Sequence, residues 1–192
     1  MKQVEGAVVK THAFTPLELA PLANGNTYVV GARRNFLDAF VSLVIYEKTT
    51  RRAQGLPIAR PIQSLLDIYP DIGDAALINL LIESQWGWVE EQIHDWYLFN
   101  RNTLKSNTVI VNYDKWAQDY ESRAGLVDYL NKFIGASREV VESTKQECSF
   151  TAMQKKHDPG FVRKGEINGW TNYLDRRAVD KINRRIAQLE QS

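Results

Sequence analysis

At 192 residues the chain is long enough for one sizeable core and short for two, so a single domain over residues 1–192 is expected. Twenty-four basic side chains against twenty-three acidic ones leave a formal charge of +1, which excludes recognition of nucleic acid or an anionic membrane by a global field; any anion site must be local. Cys148 is the only cysteine, which excludes an internal disulfide and a multi-cysteine zinc site and suits a reducing compartment.

No apolar run is long enough to span a bilayer and no signal-peptide pattern follows Met1, so the sequence reads as soluble and cytoplasmic, with no membrane segment. The first element in chain order is AVVK (7–10), a valine-rich run without polar alternation, as in a strand buried on both faces. It ends on Lys10-Thr11-His12. A second such run, TYVVGA (27–32), ends on Arg33-Arg34-Asn35. In NFLDAFVSLVIYEKTTRRAQG, Phe36, Phe40, Leu43 and Val44 fall at helical spacing, and Gly55 supplies a stop. The basic run Lys48 to Arg52 reads as a solvated helix end. The proline-interrupted stretch LPIARPIQSLLDIYPDIGD predicts irregular chain around one short helix, and AALINLLIESQWGWVEEQIHDWYLFNRN predicts a helix, a turn at Gly87 and a second helix. A third strand, TVIVNY (108–113), ends on Tyr113-Asp114. After it, DYESRAGLVDYLNKFIGA predicts a helix ending at Gly135, and Leu174, Ala178, Ile182, Ile186 and Leu189 form one stripe of a last helix near 174–190.

Strands alternating with helices imply right-handed crossovers and a parallel sheet flanked by helices, an α/β fold. Ligands in such sheets sit beyond the carboxyl ends of the strands. Two of the three strand ends here are basic and the third is aromatic, the set an anionic nucleotide needs. A further cluster in FVRKGEINGW (161–170) sets Arg163 and Lys164 beside Gly165, whose missing Cβ lets a backbone N–H approach an anion. Each feature alone has a plainer reading. Arg-Lys pairs are usually solvated surface, and a histidine at a strand end is usually a hydrogen-bonded structural residue. Trp86, Trp88 and Trp96, being aromatics at helical spacing, are most simply core. His94 and His157 read as surface or helix-packing residues.

Taken together, the elements resemble the sulfotransferases that use 3′-phosphoadenosine 5′-phosphosulfate (PAPS). In that family a Lys-Thr-His strand end is followed by Arg-Asn-x-x-Asp-x-x-x-Ser, a Tyr-Glu-Asp after a third strand, a Thr/Ser-Ser-Phe element and Arg-Lys-Gly-x-x-Gly-Asp-Trp. Here KTH (10–12), RNFLDAFVS (34–42), YDKW (113–116), CSF (148–150) and RKGEINGW (163–170) stand in the same order, with Arg34, Asn35, Asp38 and Ser42 at matching spacing. The resemblance implies a fold like that of the P-loop nucleotide kinases, PAPS as co-substrate, no metal, and a small-molecule or carbohydrate acceptor. It implies a 3′-phosphate clamp of Arg34, Ser42, Arg163, Lys164 and Gly165. Tyr113 and Cys148 would border the adenine, with cysteine standing where the family usually has threonine. Residues 55–105 would be a variable, acceptor-side region, in which Trp86, Trp88 or Trp96 would line the acceptor pocket.

The chemistry agrees with the pattern. Eight residues separate Arg34 from Ser42, about two helical turns, so both can face one phosphate. Such a clamp favours a 3′-phosphorylated nucleotide, because a ligand lacking that group leaves its cations unpaired. His12 is the candidate general base, since a neutral imidazole with an ordinary pKa of about 6.5 suits proton removal from an acceptor. Lys10, two residues away on the same strand face, can stabilise the bridging oxygen of the transition state.

The sequence also departs from the family. It contains no Lys-x-Gly-Thr-Thr phosphate loop, so the expectation is an N-terminally incomplete domain, the C-terminal two-thirds, without the first strand and that loop. The motif at 113 lacks its glutamate, and Asn168-Gly169-Trp170-Thr171 in place of Gly-Asp-Trp-Lys is expected to disturb the loop after the clamp. The alternative function is a non-catalytic relative that binds 3′-phosphoadenosine nucleotides or a partner. A kinase of the same superfamily is a third reading, disfavoured by the missing Walker-type loop.

Overall fold

A computed structural model describes residues 29–102, 108–112, 137–147 and 167–191. Strand β1 (Val29–Arg33) and strand β2 (Thr108–Asn112) pair in parallel, Val29 opposite Thr108 and Arg33 opposite Asn112. A parallel pair needs a long crossover. This one includes four helices: α1 (Phe36–Tyr46), α2 (Arg60–Ile68), α3 (Asp74–Ser84) and α4 (Trp86–Asn102). Helix α5 (Arg138–Glu147), which the sequence pattern did not announce, and helix α6 (Arg176–Glu190) follow. The expected strand ends at 32 and 113 are thus met within a residue. The expected strand at 7–10 and the helix ending at Gly135 lie outside the described residues.

Helix α1 begins where Asn35 caps it, its side-chain oxygen accepting from the N–H of Leu37 at 2.9 Å. Its apolar face buries Phe36, Phe40, Val41, Val44 and Ile45, while Leu43 is only half-buried. The helix continues into a π-helical turn (Glu47–Arg51) and stops at Gly55, which adopts φ +65°. There the N–H of Gly55 donates to Arg52 O at 3.1 Å and that of Leu56 to Arg51 O at 2.9 Å, a Schellman termination that only a residue at ease with positive φ allows.

Two sequence expectations change in this region. Lys48 and Arg51 are not a solvated end. Lys48 Nζ bonds Asp74 Oδ1 at 2.7 Å and Ile72 O at 2.6 Å, and Arg51 Nη1 lies 3.3 Å from the buried Glu47, which itself accepts from the N–H of Ala59 at 2.8 Å. Lys48 thus ties the π-helical turn to the α2–α3 connection, while Arg51 pairs within the turn itself. The α3–α4 break also falls at Gln85, not Gly87. Gly87 sits in the first turn of α4, where backbone N–H groups have no intrahelical partner and glycine costs little.

Helix α6 matches its predicted stripe: Leu174, Ala178, Ile182 and Leu189 are buried and Ile186 packs against the same core. Asp175 caps it through the N–H of Ala178 at 2.7 Å. Helix α6 packs on α3 and α4, and α1 packs on the same two helices. One core results, with Val44, Leu77, Ile78, Val89, Ile93 and Ile182 all at 0% exposure. Among the described residues, no helix is long and apolar enough to cross a membrane.

Candidate functional site

The register of β1 and β2 brings their carboxyl ends side by side, and the chain leaves β1 directly into Arg34 and Asn35. These two residues form a joint between strand and helix. Asn35 fixes the helix side of it as cap, and Arg34 lies with its side chain toward α1. Its Nη1 donates to Ser42 Oγ at 3.2 Å, and both residues are half-buried. Ser42 lies about 9 Å along α1 from Phe36, so the arginine must lie along the helix to make this contact. Guanidinium and hydroxyl therefore meet alongside α1. Among the described residues the Ser42 hydroxyl makes no other hydrogen bond, which leaves its proton for a further acceptor.

Trp96, on α4, reaches the same joint. Its indole Nε1 donates to Arg34 O at 3.0 Å, and its ring meets Phe36 edge-on, centroids 5.7 Å apart at 69°. The other two tryptophans lie elsewhere. Trp88 packs on Phe40 at 5.9 Å, and Trp86 lies beneath Lys181 Nζ, 4.0 Å from its ring. All three rings pack against the core.

Asp38 is a residue whose role the sequence left open. It is one turn from Ser42 on the same face of α1, and only 3% exposed. Its carboxylate accepts from the N–H of Asn168 at 2.9 Å and from that of Trp170 at 3.0 Å. A buried carboxylate requires such donors. Asp38 stands in the first turn of α1, where an acidic residue is ordinary, and its donors come from a turn 130 residues on.

The turn that Asp38 holds corrects another expectation. Asn168, where the resembled family has glycine, adopts φ +62°, ψ +21°, a left-handed conformation that asparagine tolerates better than other side chains. The turn therefore forms with asparagine in place, followed by a short 3₁₀ segment (Gly169–Asn172). Of the predicted site residues, Arg34 and Ser42 meet and Trp96 touches Arg34, whereas Trp86 and Trp88 are apart from that pair. Lys10, His12, Tyr113, Cys148, Arg163, Lys164 and Gly165 lie outside the described residues, as does His157; His94 is exposed on α4. Among the described residues, no three His, Cys, Asp or Glu side chains cluster as metal ligands.

A parallel pair with a helical crossover defines an α/β protein in outline. The sulfotransferase domain matches residues 2–191, and the chain belongs to that family. The family implies the P-loop-like α/β fold, of which β1, β2 and their crossover are described parts. No curated protein and no solved structure matches the chain.

Proposed function

We propose that this chain binds a 3′-phosphoadenosine nucleotide and transfers a sulfuryl group from PAPS to an acceptor hydroxyl or amine. The observation that supports it is the 3.2 Å contact between Arg34 and Ser42 in a chain of the sulfotransferase family. Guanidinium and hydroxyl offer a charge-assisted bond and a neutral one to the same phosphate oxygens, a combination selective for the 3′-phosphate. Arg163, Lys164 and the N–H of Gly165 complete the clamp in this reading, and Tyr113 and Cys148 border the adenine. Residues 1–192 belong to a single, N-terminally incomplete sulfotransferase domain in this reading, with 55–105 as its acceptor side, and it works in the cytoplasm without a metal.

In the transfer step His12 takes the proton of the acceptor as its oxygen or nitrogen attacks sulfur in line. The bond from sulfur to the phosphate oxygen breaks, and that oxygen keeps the electron pair as 3′,5′-adenosine bisphosphate departs. Lys10 stabilises the charge growing there. The second reading is a relative that binds 3′-phosphoadenosine nucleotides, or a partner, without turnover.

Calorimetry with 3′,5′-adenosine bisphosphate and with 5′-AMP tests what both readings share. The bisphosphate is expected to bind more tightly, and equal affinities would overturn both. Sulfate transfer from PAPS then separates them. A transferring chain should lose about 10²–10⁴ in rate on His12→Ala, and unchanged turnover removes His12 as base. Binding without transfer leaves the second reading standing.

A further inference from the structure

Arg34 lies in the two-residue joint between β1 and α1, outside both the strand ladder and the helix. Where its guanidinium stands depends on how that joint is held, because a small rotation of a peptide plane is magnified along a long side chain. Asn35 holds the helix side by capping. The carbonyl of Arg34 is held from 62 residues away, by the indole N–H of Trp96 at 3.0 Å. The indole is in turn set by its edge contact with Phe36, itself stacked on Phe40 at 5.7 Å and 19°. A hydrogen bond from a ring so fixed aims the carbonyl, and the peptide plane with it.

We propose that Trp96 is a positioning residue for 3′-phosphate selectivity: it acts through Arg34 and does not touch the acceptor. The inference rests on the nucleotide reading above. It moves Trp96 from the acceptor pocket, where the resemblance put it, to the anion side, and it makes α4 the support of the Arg34–Ser42 pair. Helix α4 can serve this way because Val89 and Ile93 anchor it in the core at 0% exposure.

The test is Trp96→Phe, which keeps a ring against Phe36 and removes the donor. The preference for 3′,5′-adenosine bisphosphate over 5′-AMP is expected to fall about tenfold, with the affinity for 5′-AMP unchanged. Asn79→Ala, which cuts hydrogen bonds between α3 and the segment before α6, is the control and should leave the preference intact. In a double variant with Ser42→Ala, the two losses should overlap and not add, since both act through one guanidinium. If Trp96→Phe weakens both nucleotides equally, or Asn79→Ala lowers the preference as much, Trp96 is merely structural and the inference is overturned. A native chain with no 3′-phosphate preference overturns the nucleotide reading and this inference with it. A native preference that Trp96→Phe leaves untouched overturns the inference alone. Should Trp96→Phe not fold, the indole N–H resonance of Trp96 in the native chain decides. It is expected to shift with 3′,5′-adenosine bisphosphate and not with 5′-AMP, and no difference overturns the inference.

Discussion

Two cations stand at opposite ends of the rod that α1 and its π-helical turn form, and they are held differently. Lys48, at the far end, gives its protons to a carboxylate, Asp74, and to the carbonyl of Ile72, with its side chain 18% exposed. Arg34, at the near end, donates to the hydroxyl of Ser42. A carboxylate neutralises its partner and ties two chain segments together. A hydroxyl is neutral, so it accepts without neutralising its donor, and it retains a proton to give. The two basic residues thus differ in the acceptors described for them, a carboxylate and a carbonyl for Lys48 and a hydroxyl for Arg34.

Asp38, on the rod between them, offers the largest break. Asp38→Ala removes a charged acceptor from two backbone N–H groups, and a loss of about 3 kcal/mol is expected in denaturant unfolding. Asp38→Asn should restore part of it, because its one carbonyl oxygen can serve one of the two donors. An unchanged midpoint for the alanine variant would show that the 168–170 turn is held by other means. Next comes Arg34→Leu. It should weaken 3′,5′-adenosine bisphosphate relative to 5′-AMP about thirtyfold, or about 2 kcal/mol, with little change in melting temperature. The smallest effect belongs to Lys48→Met: about 1 kcal/mol of stability, since the pair with Asp74 is partly solvated, and no change in the nucleotide ratio. A ratio altered by Lys48→Met as much as by Arg34→Leu would dissolve the contrast.

What could be read from the sequence was whatever repeats locally. The valine-rich runs marked β1 and β2, the 3.6-residue stripe marked α6, and Gly55 marked the end of the long helical segment, because each depends on near neighbours. The Arg34–Ser42 contact was legible too, since both residues belong to one helix and its entry. The bonds that tie elements together left no such trace. Asp38 finds its donors at 168 and 170, Lys48 finds its acceptors at 72 and 74, and Trp96 finds Arg34 across the core. Nothing in the residues flanking Lys48 distinguishes it from a solvated lysine; the distinction is made when α3 arrives. The misplaced turn at Gly87 has the same origin in reverse. A glycine is a strong local signal, but at a helix start it is also harmless.

Asp38 and Asn79 share a habit with wide consequences for the segment entering α6. Asp38 takes the N–H groups of residues 168 and 170; Asn79 gives to the carbonyl of 173 and accepts from the N–H of 175. Two side chains thus pin the path of this span at four main-chain points. That is how Asn168, Gly169 and Thr171 can replace the glycine, aspartate and lysine of the resembled motif and still deliver the chain to Asp175 and α6. The course of this stretch is a route fixed by two residues far outside it.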